Sequence, residues 1–207
     1  MKDLYTIILL FLHPSDGCRL MIAQHKKHNY LVVLFMLLAV VLTKVLYVYF
    51  VSFQLQTVSR RDANPIIEIG MVLVPLLTWA VASYAASSIM GGETTIGQSF
   101  ASSIFCMIPY VFITLILLLV SQFVGYGEMG MFNALKTIAI IWVCLLEFWA
   151  LKELNGYTVG EALKVGFVGI VFMVIFLIVV VLLYAFIGQL FVFGKDLALE
   201  YRVFISR

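Results

Sequence analysis

The chain reads as an all-α, polytopic integral membrane protein with five transmembrane helices, and three observations lead there. Its 207 residues are 64% hydrophobic and 12% charged, against roughly 45–50% and about 25% in soluble domains. Mean hydropathy is +1.11. The apolar residues are gathered into runs at residues 30–53, 66–90, 100–124, 131–151 and 165–193, each long enough for the ~20 residues of a bilayer crossing. The stretches between them are far shorter than the ~50 residues of a minimal soluble domain. Any chemistry therefore belongs in the membrane, on short loops or on another subunit. Residues 1–29 form an expected cytoplasmic interfacial segment, and residues 30–207 the five-span domain.

The first segment carries an apolar stretch, Leu4 to Leu12, too short to cross a bilayer. Its flank, Lys2-Asp3, is not the basic region of a signal peptide, and no small-x-small cleavage pattern follows. Pro14 punctuates it, and Ser15 or Asp16 is placed to cap a short amphipathic helix running towards His28. Arg19, Lys26 and Lys27 then press against span one. Positive charge there favours a cytoplasmic N-terminus and, after five crossings, an external C-terminus. The same cluster suits anionic lipid. A net charge of +2 with no longer basic stripe gives no reason to expect nucleic acid as a partner. Cys18, Cys106 and Cys144 are too widely spaced to read as a disulfide or zinc framework.

Spans two to five contain a weak internal repeat. An offset of 63 residues lays Trp79 on Trp142 and Thr95-Ile96-Gly97-Gln98-Ser99-Phe100 on Thr158-Val159-Gly160-Glu161-Ala162-Leu163. The matching hexamers sit between spans two and three and between spans four and five. This gives two related hairpins running parallel about an axis along the membrane normal. Each hexamer is also a capping box, in which the threonine hydroxyl accepts from a backbone N–H three residues on while Gln98 or Glu161 reaches back. Spans three and five are therefore expected to start at Thr95 and Thr158, and the two turns are candidate docking surfaces. Gly91-Gly92 and Asn155-Gly156 suit left-handed ends of the preceding helices.

Inside the spans, Lys44 and Glu147 are the charges that stand out, since a charge in hydrocarbon is costly and a functional candidate. Their depths differ too much for a mutual pair. Lys44 is expected to snorkel outwards or meet Glu68 at the outer start of span two, and Glu147 to reach the cytoplasmic headgroups. A buried relay or a structural pair are the other solutions. Pro75 and Pro109 are candidate kinks, each removing a backbone hydrogen bond. Ala82, Ser83, Ala85, Ala86, Ser87 and Ser88 form a small-residue surface suited to close helix packing. There is no glycine-rich phosphate loop, no His-Glu pair at metal spacing and no serine elbow. No catalytic, cofactor-binding or metal-ligating residue is assigned, and no cofactor is expected.

His13-Pro14-Ser15-Asp16-Gly17 before a charged stretch and span one, Gly91-Gly92 followed by Phe100, and the Pro109-Tyr110 pair in span three together resemble the YIP family. This is the Ypt-interacting membrane domain, and the likeness is to its bacterial branch. Cys18 stands where that branch would place an aromatic residue. The resemblance covers nearly the whole chain and implies five spans, a cytoplasmic N-terminus and an external C-terminus in the cell membrane. It implies no catalytic residue, and binding of small GTPases, which in relatives rests on a long N-terminal region, is not carried over. What it implies instead is an accessory role, binding other membrane proteins and modulating assembly of a membrane transport complex such as an ABC-type transporter. Homo-oligomers and membrane lipids are the other expected associations. The rival expectation is a small permease or channel that moves a solute or proton along the repeat axis, with Pro75, Pro109, Lys44 and Glu147 as moving or conducting parts.

Overall fold

The computed structural model describes residues 30–52 and 64–205. Six α-helices follow in order: α1 (Tyr30–Phe50), α2 (Pro65–Ile89), α3 (Ile96–Cys106), α4 (Ile108–Val120), α5 (Met129–Asn155) and α6 (Val159–Ile205), with a short 3-10 turn, Tyr126–Glu128, before α5. The described residues contain no strand. Helices α3 and α4 together make one crossing, so among the described residues five helical segments are long and apolar enough to span a membrane. The basic cluster Arg19, Lys26 and Lys27, and the expected interfacial helix before it, lie outside the described residues.

Local chemistry sets the helix ends. Asn64 caps α2 by accepting from the Ile66 N–H at 3.0 Å, with Pro65 in the first turn, where its missing N–H costs nothing. The same helix closes on Gly91 at φ +76°, and the Gly92 N–H donates back to the Ser87 carbonyl at 2.7 Å. Helix α5 closes on Gly156 at φ +65°. At Thr95 the Gln98 N–H donates to the hydroxyl at 3.4 Å and the Thr95 N–H donates to Gln98 Oε1 at 2.9 Å. Thr158 and Glu161 repeat this arrangement, with distances of 3.4 and 2.9 Å.

Three features depart from the expected spans. The third, whose helix starts after the Thr95 cap as its capping box implies, is interrupted at Met107, whose N–H turns to the Ile104 carbonyl at 3.2 Å. Pro109 then occupies the first turn of α4, where proline is tolerated, so the break falls just before it. Pro75 does not interrupt α2; one turn on, the Thr78 hydroxyl donates to the Val74 and Pro75 carbonyls at 2.7 and 3.0 Å. The fifth helix starts at Val159, directly after the Thr158 cap as expected, but continues to Ile205, well past 193. A lone Gly194 does not end it, because no second breaker stands beside it.

Helix α6 packs mainly on α2, and α2 also contacts α1 and α3; α4 lies against α1 and α5. The small-residue surface of α2 faces the bundle: Ala82, Ser83, Ala86 and Ser87 are all buried. Opposite it, Gly169 of α6 leaves room for Trp79 and Ala86, so the two helices approach closely without a polar glue. A second interlock joins the two turns at one end of the bundle. Asn155 Oδ1 accepts from the Thr94 hydroxyl at 2.6 Å and from the Thr94 N–H at 3.3 Å, and the Tyr157 hydroxyl donates to the Ser87 carbonyl at 3.3 Å. Burial, then the nearby Glu161, raises the Tyr157 hydroxyl above the usual phenol range.

Gly92 sits at this joint, where an added Cβ would overlap Asn155 Oδ1 and the Tyr157 hydroxyl. Gly92→Ala is expected to destabilise the protein by about 1–3 kcal/mol through overpacking. Gly97→Ala, where nothing lies within 4 Å, should stay within about 1 kcal/mol. Unfolding midpoints of both variants in mild detergent check this contrast.

Candidate intramembrane site

Three helices each turn one polar row toward a common point. On α2 the row is Trp79, Ser83 and Ser87, spaced by four residues; on α3 it is Ser99, Ser102 and Ser103; on α5 it is Glu147, followed by Leu151 and Asn155. Residues three and four apart share a helix face, so these rows converge where α2, α3 and α5 meet. Ser83 and Ser99 share a hydrogen bond of 2.9 Å, and the Ser99 hydroxyl also reaches the Ala80 carbonyl at 2.7 Å. Serines in an apolar bundle thus satisfy one another and the backbone, and tie α2 to α3.

Glu147 stands at the centre. It is 9% exposed, and its Oε2 accepts from Trp79 Nε1 at 2.9 Å and from the Ser103 hydroxyl at 3.2 Å. Its Oε1 is buried with no hydrogen-bond partner. A buried acceptor left unmade costs on the order of 1–3 kcal/mol, more for a charged group. The side chain turns inward to Trp79 and Ser103, and α5 continues eight residues past it, about 12 Å at ~1.5 Å per residue.

Trp79, Glu147 and Leu151 divide two spaces. On one side is a polar gap of about 10 Å³, reaching from Ser83 and Ser99 to Thr94 and Asn155 at the joined turns. It has the room of about one water molecule. On the other side lies an apolar cavity of about 780 Å³ between α2, α5, α6 and the α3–α4 break, walled by residues such as Pro75, Met107, Tyr110, Phe148 and Phe167. This is within the ~300–1,000 Å³ of ordinary ligand sites. Its outer walls are open: Met71, Ile140, Phe167 and Ile170 are each more than half exposed. Both proline positions belong to this region, Pro75 as a wall and Pro109 just beyond the Met107 break.

The other predicted charges lie elsewhere. Lys44 Nζ meets Glu68 Oε2 at 3.1 Å between α1 and the start of α2, at the end of the bundle away from the joined turns. Beside it Lys136 lies over the rings of Tyr47 and Phe132, at 4.5 and 5.7 Å. Gly91, Gly92, Thr95, Gln98, Gly156, Thr158 and Glu161 are brought together as the two capped turns described above. Sequence reasoning missed Trp79 as a donor, the serine row of α3 and the cavity itself. The signal for the first was present, since a buried indole N–H requires an acceptor, and Glu147 is the nearby carboxylate. Among the described residues no cluster of His, Cys, Asp and Glu could hold a metal ion.

In comparisons with known proteins, the family model of the Yip1 domain matches residues 8–183. No curated protein matches the chain, and no solved structure does.

The Lys44–Glu68 pair allows a direct test of its structural role. Lys44→Met is expected to destabilise by about 3–5 kcal/mol by stranding Glu68, whereas Lys44→Met combined with Glu68→Leu should recover most of that loss. Detergent unfolding curves of the three proteins measure the difference.

Proposed function

The chain belongs to the Yip1-domain family, and from that premise we propose that it is a non-enzymatic accessory protein of the cell membrane that binds other membrane proteins, among them subunits of a membrane transport complex. The observation that carries this reading is the unpartnered length of α6. The helix has 47 residues, about 70 Å at ~1.5 Å per residue, against a hydrocarbon core of ~30 Å. Its buried anchors, Ala162 and Val165, are near its start, while Leu182, Leu183, Phe186, Ile187, Leu190 and Phe191 are all more than half exposed. The apolar stretch continues to Leu197. One lipid crossing needs only about half of that stretch, and the covering of a neighbouring membrane protein accounts for the remainder. The capped turns at residues 92–100 and 156–163 offer a second, rigid contact surface, taken as cytoplasmic, and the basic residues Arg19, Lys26 and Lys27 of the sequence suit anionic lipid.

A second reading is favoured by the cavity: a small permease that moves a solute or proton past Glu147, with Pro75 and the break before Pro109 as flexible parts. Its polar gap on one side and apolar space on the other are the kind of asymmetry a pathway would use. The parallel relation of the two hairpins, which would place such a pathway on the repeat axis, is supported by the matching capping boxes at Thr95 and Thr158.

Photocrosslinking residues placed at Leu183, Phe186 and Leu190, with lipid-exposed Leu38 of α1 as control, separate the readings in native membranes. The accessory reading expects discrete adducts with transport-complex subunits from α6 and none from Leu38. Adducts with lipid alone, from a chain that purifies without partners and conducts solute or protons in vesicles, would transfer the assignment to the permease.

A further inference from the structure

We propose that the cavity between α2, α5 and α6 holds an acyl chain of a phospholipid whose anionic phosphate head sits at Lys136, at the end of the bundle away from the joined turns. The site is separate from the α6 surface assigned to protein partners, and it stands whichever reading of the function holds.

Charge at that end does not balance. Helices α1 to α4, and α5 as far as Leu146, carry three charged side chains in all: Lys44, Glu68 and Lys136. Lys44 and Glu68 pair at 3.1 Å. Among the described residues Lys136 has no carboxylate partner; its ammonium lies over Tyr47 and Phe132, at 4.5 and 5.7 Å from the ring centres. Rings attract a cation without neutralising it. Tyr47 is one turn from Lys44 on α1, so two ammonium groups share this corner with a single carboxylate. A cation inside a span calls for a counter-charge, and the surplus here equals the one negative charge of a phosphodiester, which a lysine holds as a point charge with three donors.

Helix register puts this corner at one end of the cavity. On α5 the wall includes Ile140, Cys144 and Leu151, and one turn before Ile140 on the same face is Lys136. On α2 the wall includes Val72, Pro75 and Trp79, and one turn before Val72 is Glu68, the partner of Lys44. Measured from the helix starts at ~1.5 Å per residue, Lys136 lies about 10 Å along α5 and Glu68 about 5 Å along α2. A lysine stem spans the remaining distance to the headgroups of that leaflet. The walls continue inward past Cys144, about 22 Å along α5. A phospholipid of that leaflet has the same order, with its phosphate near the surface and its chain within.

The lining suits a chain and not a head. It contains no Lys, Arg, His, Ser or Thr. Glu147 offers the cavity no free acceptor, because Oε2 is taken by Trp79 and Ser103 and Oε1 is buried. The head therefore belongs at Lys136. Met71, Ile140, Phe167 and Ile170 are each more than half exposed, and α6 packs closely on α2 but far less on α5, so a chain enters sideways from the bilayer.

The full chain, reconstituted in phosphatidylcholine vesicles with a trace of phosphatidylglycerol that bears a diazirine in its acyl chain, can be irradiated, and adducts on the cavity-lining segments of α2, α5 and α6 counted by mass spectrometry. Saturable labelling is expected, competed about tenfold better by phosphatidylglycerol than by chain-matched diacylglycerol, which lacks the phosphate. Lys136→Gln should lower it about tenfold, as for the loss of one charge-assisted hydrogen bond. Cys144→Trp provides an independent variant: Cys144 is exposed in the cavity wall, so the larger side chain fills the space and labelling should be lost with Lys136 intact. Equal competition by the diacylglycerol, labelling unchanged by Cys144→Trp, or labelling unchanged by Lys136→Gln in a folded protein would each overturn the proposal. So would competition by inorganic phosphate alone, which would make this a site for a free anion.

Discussion

A carboxylate inside an apolar bundle must be surrounded by donors, and Glu147 draws three helices together to meet that need. The indole of Trp79 comes from α2, the hydroxyl of Ser103 from α3, and the acid itself from α5. In hydrocarbon there is little hydrophobic force to hold helices against one another, so association rests on close packing and interhelical hydrogen bonds. The serine row of α3 and the small surface of α2 supply the first, and this junction supplies the second. Its position also explains the cavity. Holding α2, α3 and α5 together at this level, with α6 kept on α2 by Gly169 and Ala86, leaves α5 and α6 apart over the following two to three turns.

The joined turns have a complementary role. Short connections with left-handed glycines at Gly91 and Gly156 bring four helix ends to one place, and Asn155 converts their proximity into a specific contact with Thr94. Capping boxes then restart α3 and α6 in a fixed direction. The opposite end is held differently, by the Lys44–Glu68 pair and the rings beneath Lys136. Polar contacts are therefore concentrated at the two ends and around Glu147, and the remainder of the bundle relies on shape.

How much of this was legible in the sequence follows from what each residue type can encode. Five crossings were readable because apolar length is a direct physical requirement of the bilayer. The turn chemistry was readable too, since Thr-x-x-Gln, Thr-x-x-Glu and the paired glycines specify local geometry on their own. The inward faces of α5 and α6 were not. A helix that is apolar all round carries no periodic signal to say which side meets protein and which meets lipid, and so the cavity left no trace. Glu147 was visible as a buried charge, but its orientation depended on Trp79, 68 residues away. The end of α6 was missed because the apolar run stops at Phe193, before Gly194, Lys195 and Asp196, whereas the helix itself continues to Ile205.

The central claim, that the Trp79–Glu147 hydrogen bond joins α2 to α5 and organises the bundle, is tested most directly by a double-mutant cycle. Unfolding free energies of Trp79→Phe, Glu147→Leu and the combined variant should reveal a coupling of about 1–3 kcal/mol, as for a hydrogen bond to a charged group. Losses that simply add would contradict the account, for they would mean that the two side chains are neighbours without being partners.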